Sequence, residues 1–293
     1  MIGEGFYHIA TPSLFTNKVK QITYSELIFK NSSSKIEIHS SQLEFDGGKK
    51  QMELKDLLNK QLPQMPTEIV ELLRKNEITG TPFECKNDIL SNEILQKEVG
   101  YKKLADGTYL VSMVCPMPNV TAEMIRWWFW WHPKADIRYQ VWFPEEHISI
   151  SYDRKDKAYF EQDSLPPFQP NSQYPVERIG KGVKAPLCID FVSPQAFGFS
   201  EEEIKQNNIP LIVCGHVGVL KGIVKHTEMA HIFKQTENGL FMISRFWMGE
   251  TLQSSLLRKL IITDKMATEM AKHCCIEYRN LCEILPSLYA QYR

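Results

Sequence analysis

The clearest pairing of chemically capable side chains is "HCCIE" near the C-terminal end, where His273 and Glu277 stand four residues apart. On a helix that spacing puts both side chains on one face, where an imidazole and a carboxylate can share one metal ion. The plain alternative is a solvent-facing His–Glu pair worth a few tenths of a kcal/mol. A second candidate closes the stretch "WWFWWHP", which holds four of the six tryptophans and ends in His132 and Pro133. His132 shares the apolar helix face of Ile125 and Trp128. A histidine there serves equally as a packed helix-terminal residue, whose charge suits the helix C-terminus. His231 in "MAHIFKQT" alternates with Phe233 on one face of a strand and suits a proton-transfer role if that face lines a pocket. Glu177 in "VERIG" follows a proline-rich stretch. His147, Glu161, Asp163, His216, His226 and Glu228 compete with these, and spacing alone does not choose among them.

These residues need elements to hold them. "NVTAEMIRWWFWWHP" reads as a helix, with Thr121 as its cap, Glu123 in the first turn and Pro133 discouraging continuation. "GTYLVSMVCPMP" is an alternating strand after a DG turn. "IRYQVWF" and "HISISYD" read as strands around "PEE". "PLCIDFV", "IPLIVCGHVGVL", "MAHIFKQT" and "GLFMISRFWMG" read as further strands. Residues 153–176 are rich in charge and proline and are expected to form a long surface loop, a candidate lid. The last element, from Asp264 onward, is a long helix. Before residue 98, "ITYSELIF" and "SKIEIHSSQLEF" alternate as strands, and "ELKDLLNKQLP" and "PTEIVELLRKN" read as short amphipathic helices. This order implies an α+β fold in which a curved antiparallel sheet wraps a long C-terminal helix. Residues 1–97 form an N-terminal part, and residues 98–293 form a cavity domain.

Composition narrows the function. Among 293 residues, 34 Lys and Arg stand against 35 Asp and Glu, so no basic excess points to nucleic acid or an anionic membrane. No stretch reaches the roughly 20 apolar residues of a membrane helix. The N-terminus lacks the pattern of a signal peptide. The 7 Cys are odd in number and without a CxxC pair, so a disulfide framework is not indicated, and a reducing cytoplasm is the expected setting. "SRFW" places an arginine beside aromatics, an arrangement that usually means stacking. Cys274 and Cys275 lie off the His273–Glu277 face and read as buried or lateral small residues.

Taken together, "GYKKLADGTYLVSMVCPMPNVTAEMIRWWFWWHP", "RYQVWFPEEH", "VERIG", "GLFMISRFWMG" and "HCCIE" resemble the diacetylphloroglucinol hydrolase and phloretin hydrolase family over about residues 99–280. The resemblance implies a Bet v 1-like α+β cavity with an additional N-terminal part. It also implies zinc-dependent hydrolysis of the carbon–carbon bond between a polyphenolic ring and an acyl group. Carried over by motif, the Zn2+ ligands are His132, Glu177, His273 and Glu277, with Glu161 as the rival of Glu177. The pocket histidine falls on His231, with His216 as its rival. Trp128, Trp131 and Phe246 form the aromatic wall that stacks on the ring. The implied partner is a small aromatic or polyphenolic acyl ketone, and the implied assembly is a homodimer. Two departures stand out. An Asn expected soon after the tryptophan helix is absent, with Ala135 nearby, and a Tyr expected in the "SRFW" run is Phe246. Both expected residues hydrogen-bond ring hydroxyls, so the departures widen the substrate class toward less hydroxylated or alicyclic rings. The competing class is a non-catalytic protein of the same cavity fold that binds hydrophobic or aromatic ligands.

Overall fold

A computed structural model describes residues 53–180, 182 and 184–293. The expected strands at "ITYSELIF" and "SKIEIHSSQLEF" lie outside the described residues. The centre of the fold is an antiparallel sheet: β1 (Gly100–Lys103), β2 (Tyr109–Pro118), β3 (His147–Tyr152), β4 (Asn171–Glu177), β5 (Ala185–Pro186), β6 (Cys188–Val192), β7 (Leu211–Val219), β8 (Val224–Thr236) and β9 (Gly239–Met248). The order across it is β1-β2-β9-β8-β7-β6-β4-β3, with β5 beside β4. Alternation along β8 and β9 divides the residues between two faces. Ile232, Ala230, Ile243 and Trp247 join Ile212 and Cys214 of β7 in one core, which also buries Ile78, Ile89, Leu90, Leu95, Phe197 and Phe199. The opposite face carries His231, paired in register with Val213 of β7 and Ser244 of β9.

Against that second face lies the C-terminal helix, Asp264–Tyr292, capped by Thr263 through Met266 N–H. Its 29 residues span roughly 44 Å at the helical rise of 1.5 Å per residue, and it packs along β2. Tyr278 on this helix tilts over His231 with ring centroids 4.8 Å apart. The tryptophan helix, Ala122–Trp131, starts at the expected cap: Thr121 accepts Met124 N–H at 3.2 Å. A single 3-10 turn, His132–Lys134, follows it.

Two expectations need correction. "IRYQVWF" is not a strand: Asp136–Gln140 is a short helix. The Asp136 carboxylate accepts Ile150 N–H at 2.8 Å, which holds this turn against β3 while Tyr139, Val141, Trp142 and Phe143 are buried. The surface loop is also shorter than residues 153–176. Lys157–Phe160 is helical with Phe160 fully buried, and β4 takes Asn171–Glu177. Polar side chains at Asn171, Ser172 and Gln173 conceal this strand, because they are buried with local partners rather than apolar.

Candidate metal centre

β3 and β4 bring the first two groups of the site together. His147 opens β3, Glu177 closes β4, and the two are direct cross-strand partners. The C-terminal helix supplies His273 and, one turn later, Glu277. One ligand atom each from His147, Glu177 and His273 lies within 4.8 Å of the others, and all three residues are buried. Glu277 completes the group: its Oε2 is 3.6 Å from His147 Nε2 and 3.5 Å from His273 Nε2. The helix is held in place at this level. Trp142 Nε1 donates to the Glu277 carbonyl at 3.0 Å, and Asn280 Nδ2 donates to the carbonyls of Val141 and Trp142.

Each ring is oriented through its other nitrogen. His147 Nδ1 meets the Tyr139 carbonyl at 3.1 Å, and its ring stacks on the Tyr139 ring at 3.9 Å. His273 Nδ1 meets Glu146 Oε2 at 2.6 Å. With both Nδ1 atoms donating, both Nε2 atoms face the carboxylates, and each can offer a lone pair to a cation held there. His147 Nε2 is buried and lacks a hydrogen-bond partner among the described residues. The Tyr139 hydroxyl donates to Glu177 Oε1.

The charges are unbalanced. Burial raises Glu277 above the usual carboxylate range, opposed by His273 and reinforced by Glu177 and Glu146. Burial presses His273 down, yet Glu277, Glu146 and Glu177 together lift it well above an ordinary histidine. His147 is pushed well below by burial and by the charge of His273. Clustered buried carboxylates with an orphaned imidazole nitrogen are costly unless a cation joins them. Two imidazole nitrogens and two carboxylate groups are a donor set suited to a divalent transition-metal ion.

The structure places the residues singled out from the sequence as follows. Glu177, His273 and Glu277 meet. His132 does not join them: the second imidazole of the cluster is His147. His132 Nδ1 bonds the Trp128 carbonyl at 2.7 Å, closing the end of the tryptophan helix, and its ring sits between Trp128 and Tyr139. Burial pushes its pKa down to about 3, so it is a neutral packed ring. Glu161 is exposed and lies 3.6 Å from Lys157, apart from the cluster. His231 Nδ1 bonds Ser244 Oγ at 2.8 Å, and burial pushes its pKa down to about 3. His216 lies on β7 in register with Glu228 and bonds its carboxylate at 2.7 Å. Phe246 meets His231 edge-on at 5.5 Å. Trp128 is fully buried and its Nε1 has no partner among the described residues. Trp131 stacks on Trp127 at 4.7 Å, tilts against Tyr292 and lies under Arg138.

Two depressions flank these groups. A cleft of about 680 Å³ reaches His273 and is lined by Phe143, Glu146, Arg178, Glu269 and Lys272. A more apolar cavity of about 270 Å³ is lined by Phe129, Tyr159, Phe168, Gln173, Phe191 and Val213. Neither is lined by His231, Trp128, Trp131 or Phe246. Residues that sequence reasoning passed over include Tyr139, Trp142 and Glu146. Their only signal was proximity to His147 in "RYQVWFPEEH".

Comparison with known proteins agrees with the resemblance. The solved structure of protein NE0264 from Nitrosomonas europaea aligns over 62% of this chain and 96% of its own, at 14% identity and a TM-score of 0.37. Protein Ms6760 from Mycobacterium smegmatis aligns over 63% and 95%, at 11% identity and 0.35. Likeness at that level carries no functional argument. Sequence relatives are far more informative. Phloretin hydrolase of Eubacterium ramulus is 30% identical over 248 residues, 78% of this chain and 86% of the relative. The 2,4-diacetylphloroglucinol hydrolase of Pseudomonas protegens is 29% identical over 241 residues, 74% and 76% of the two chains. The family described as the DAPG hydrolase PhiG domain matches residues 81–290, and the chain belongs to that family.

Proposed function

We propose that this chain is a zinc-dependent hydrolase of the carbon–carbon bond that joins an acyl group to a polyphenolic or related cyclic ketone ring. The observation that carries the reading is the convergence of His147, Glu177, His273 and Glu277 in a chain of this family. Its named relatives, phloretin hydrolase and 2,4-diacetylphloroglucinol hydrolase, point to acylphloroglucinols as the first substrates to try. A Bet v 1-like cavity, a division near residue 98, a homodimeric assembly and a cytoplasmic setting belong to the same proposal. No helix among the described residues is long and apolar enough to cross a membrane.

The four side chains are proposed to hold Zn2+, which when bound supplies Lewis-acid polarisation of the acyl carbonyl. The remaining chemistry falls to the protein and the substrate. Hydrolysis adds one water across the bond: the acyl carbon gains the hydroxyl and leaves as a carboxylic acid, and the ring carbon gains a proton. A ring hydroxyl helps, because its phenolate tautomerises to a ketone and the ring carbon becomes a proton acceptor. His231 is proposed to hold a ring hydroxyl or pass the proton. Its Nδ1 is engaged by Ser244, so Nε2 is the working nitrogen, and burial keeps the ring neutral at pH 7. Tyr139 and Glu146 steady the carboxylate of Glu177 and the ring of His273. Trp128, Trp131 and Phe246 remain the proposed aromatic wall, and Phe246 meets the His231 ring edge-on at 5.5 Å. Lacking a hydroxyl at 246, the site should tolerate rings with fewer hydroxyl groups.

The test is direct. Zinc-loaded protein is incubated with acylphloroglucinols, and the free carboxylic acid is measured. Acid formation that disappears in His273→Ala together with bound zinc supports the reading. Tight binding of the same ketones without acid supports a ligand-binding protein instead.

A further inference from the structure

Glu146 occupies a position that neither the motif nor the cluster geometry requires of a ligand. It stands in the turn before β3, where Glu146 N–H and His147 N–H both bond the Phe143 carbonyl, at 3.0 and 2.8 Å. Its side chain is nearly buried, at 14% exposure, and both oxygens are engaged. Oε2 accepts from His273 Nδ1 at 2.6 Å, and Oε1 accepts Gly180 N–H at 2.8 Å. Its own carbonyl accepts Arg178 N–H at 2.8 Å, one step beyond the His147–Glu177 pair. One residue thus ties three pieces together: the His147 turn, the chain leaving Glu177, and the imidazole on the C-terminal helix. The Gly180 end of this tie is close-packed. Gly180 has φ +62°, a left-handed conformation that favours glycine, and its Cα lies against the Glu269 side chain of the C-terminal helix.

The two imidazoles of the cluster are therefore oriented by different means. A backbone carbonyl, that of Tyr139, holds His147. A carboxylate holds His273, which fixes the tautomer with the lone pair on Nε2 and makes that nitrogen a stronger donor. We propose that Glu146 is a positioning residue for the metal: it sets the ring and basicity of His273 and locks that ring to the strand end carrying Glu177. This rests on the reading of the cluster as a zinc site.

The test compares zinc affinity in wild type, Glu146→Ala and Glu146→Gln, measured by competition with a chromogenic chelator. Long-range 1H–15N spectra of the zinc-loaded proteins report the His273 tautomer. Losing an orienting carboxylate typically weakens metal binding about 10–100-fold, and that is the loss expected for Glu146→Ala. Glu146→Gln keeps an oxygen to accept from Nδ1 without the charge, so it should recover part of the loss and keep the Nδ1–H in slow exchange with water, whereas in the alanine variant that proton stays on Nδ1 but exchanges rapidly. A role confined to tying the Gly180 loop would leave zinc affinity unchanged in both variants and overturns the proposal. A complete loss of zinc in the glutamine variant, equal to that of His273→Ala, also overturns it, because it makes Glu146 a ligand. If the alanine variant does not fold, the glutamine variant decides: affinity equal to wild type refutes the proposal, and several-fold weakening with the Nδ1–H still in slow exchange supports it. Wild type that binds no zinc rejects the zinc reading itself. Wild type and Glu146→Ala binding zinc equally well rejects the role of Glu146 alone.

Discussion

Replacing His147 by alanine separates the two histidines that compete for one place in the site. His147 Nε2 is buried, unpartnered and 3.6 Å from Glu277 Oε2, whereas His132 lies outside the His147–Glu177–His273 group with its ring packed between Trp128 and Tyr139. Apparent zinc binding free energies in small four-ligand sites run to about 10–16 kcal/mol, or roughly 2.5–4 kcal/mol per donor. His147→Ala should therefore weaken zinc binding by about 10²–10³-fold. His132→Ala removes a packed ring, costing about 2–4 kcal/mol of folding stability, and should leave zinc affinity within a few-fold of wild type. The assay is zinc stoichiometry by mass spectrometry after dialysis, together with chelator competition, with thermal melts recorded on the same samples. The reasoning is refuted if His132→Ala loses zinc as severely as His147→Ala, or if His147→Ala keeps a full equivalent at wild-type affinity.

Other expectations follow from the same geometry. His231→Ala should lower kcat about 10²–10⁴-fold with zinc content unchanged, in line with the usual worth of a proton-transfer group; stoichiometry and steady-state rates on one preparation check this. Phe246→Tyr adds a hydroxyl beside His231 and should favour trihydroxylated over monohydroxylated rings by roughly fivefold in kcat/KM, the worth of about one hydrogen bond. His231 is held neutral by burial, with its pKa pushed down from 6.5 to about 3, so the unfolded chain takes up more protons as pH falls. Its contribution is intact above pH 6.5 and drains away below it, amounting to about 2 kcal/mol between pH 7 and pH 5. His231→Phe should flatten the pH dependence of urea stability by about that amount over this window, and an unchanged slope counts against the neutral assignment.

What was legible in the sequence follows its periodicities. The i,i+4 spacing places His273 and Glu277 on one helical face, because helix geometry is local, and the structure sets His273 Nε2 3.5 Å from Glu277 Oε2. The tryptophan helix could be read with its cap for the same reason. His147 could not be singled out, since its meeting with Glu177 depends on the β3–β4 register, a long-range property that spacing does not encode. The polar run "NSQYPVE" conceals β4 because its inward side chains pair with one another and with backbone. "IRYQVWF" alternates well enough to suggest a strand, yet tertiary packing of Tyr139 and Trp142 against the histidines holds Asp136–Gln140 as a helix. His132 drew attention because it closes a specific motif, and the structure packs its ring between Trp128 and Tyr139, outside the His147–Glu177–His273 group.

The most direct measurement of the central claim is the mass of the acid released from an acylphloroglucinol in 18O-labelled water by zinc-loaded protein. The expected result is one labelled oxygen per carboxylic acid, formed in equal amount with the deacylated ring. Binding of the ketone with no acid formed, or an acid without label, contradicts it.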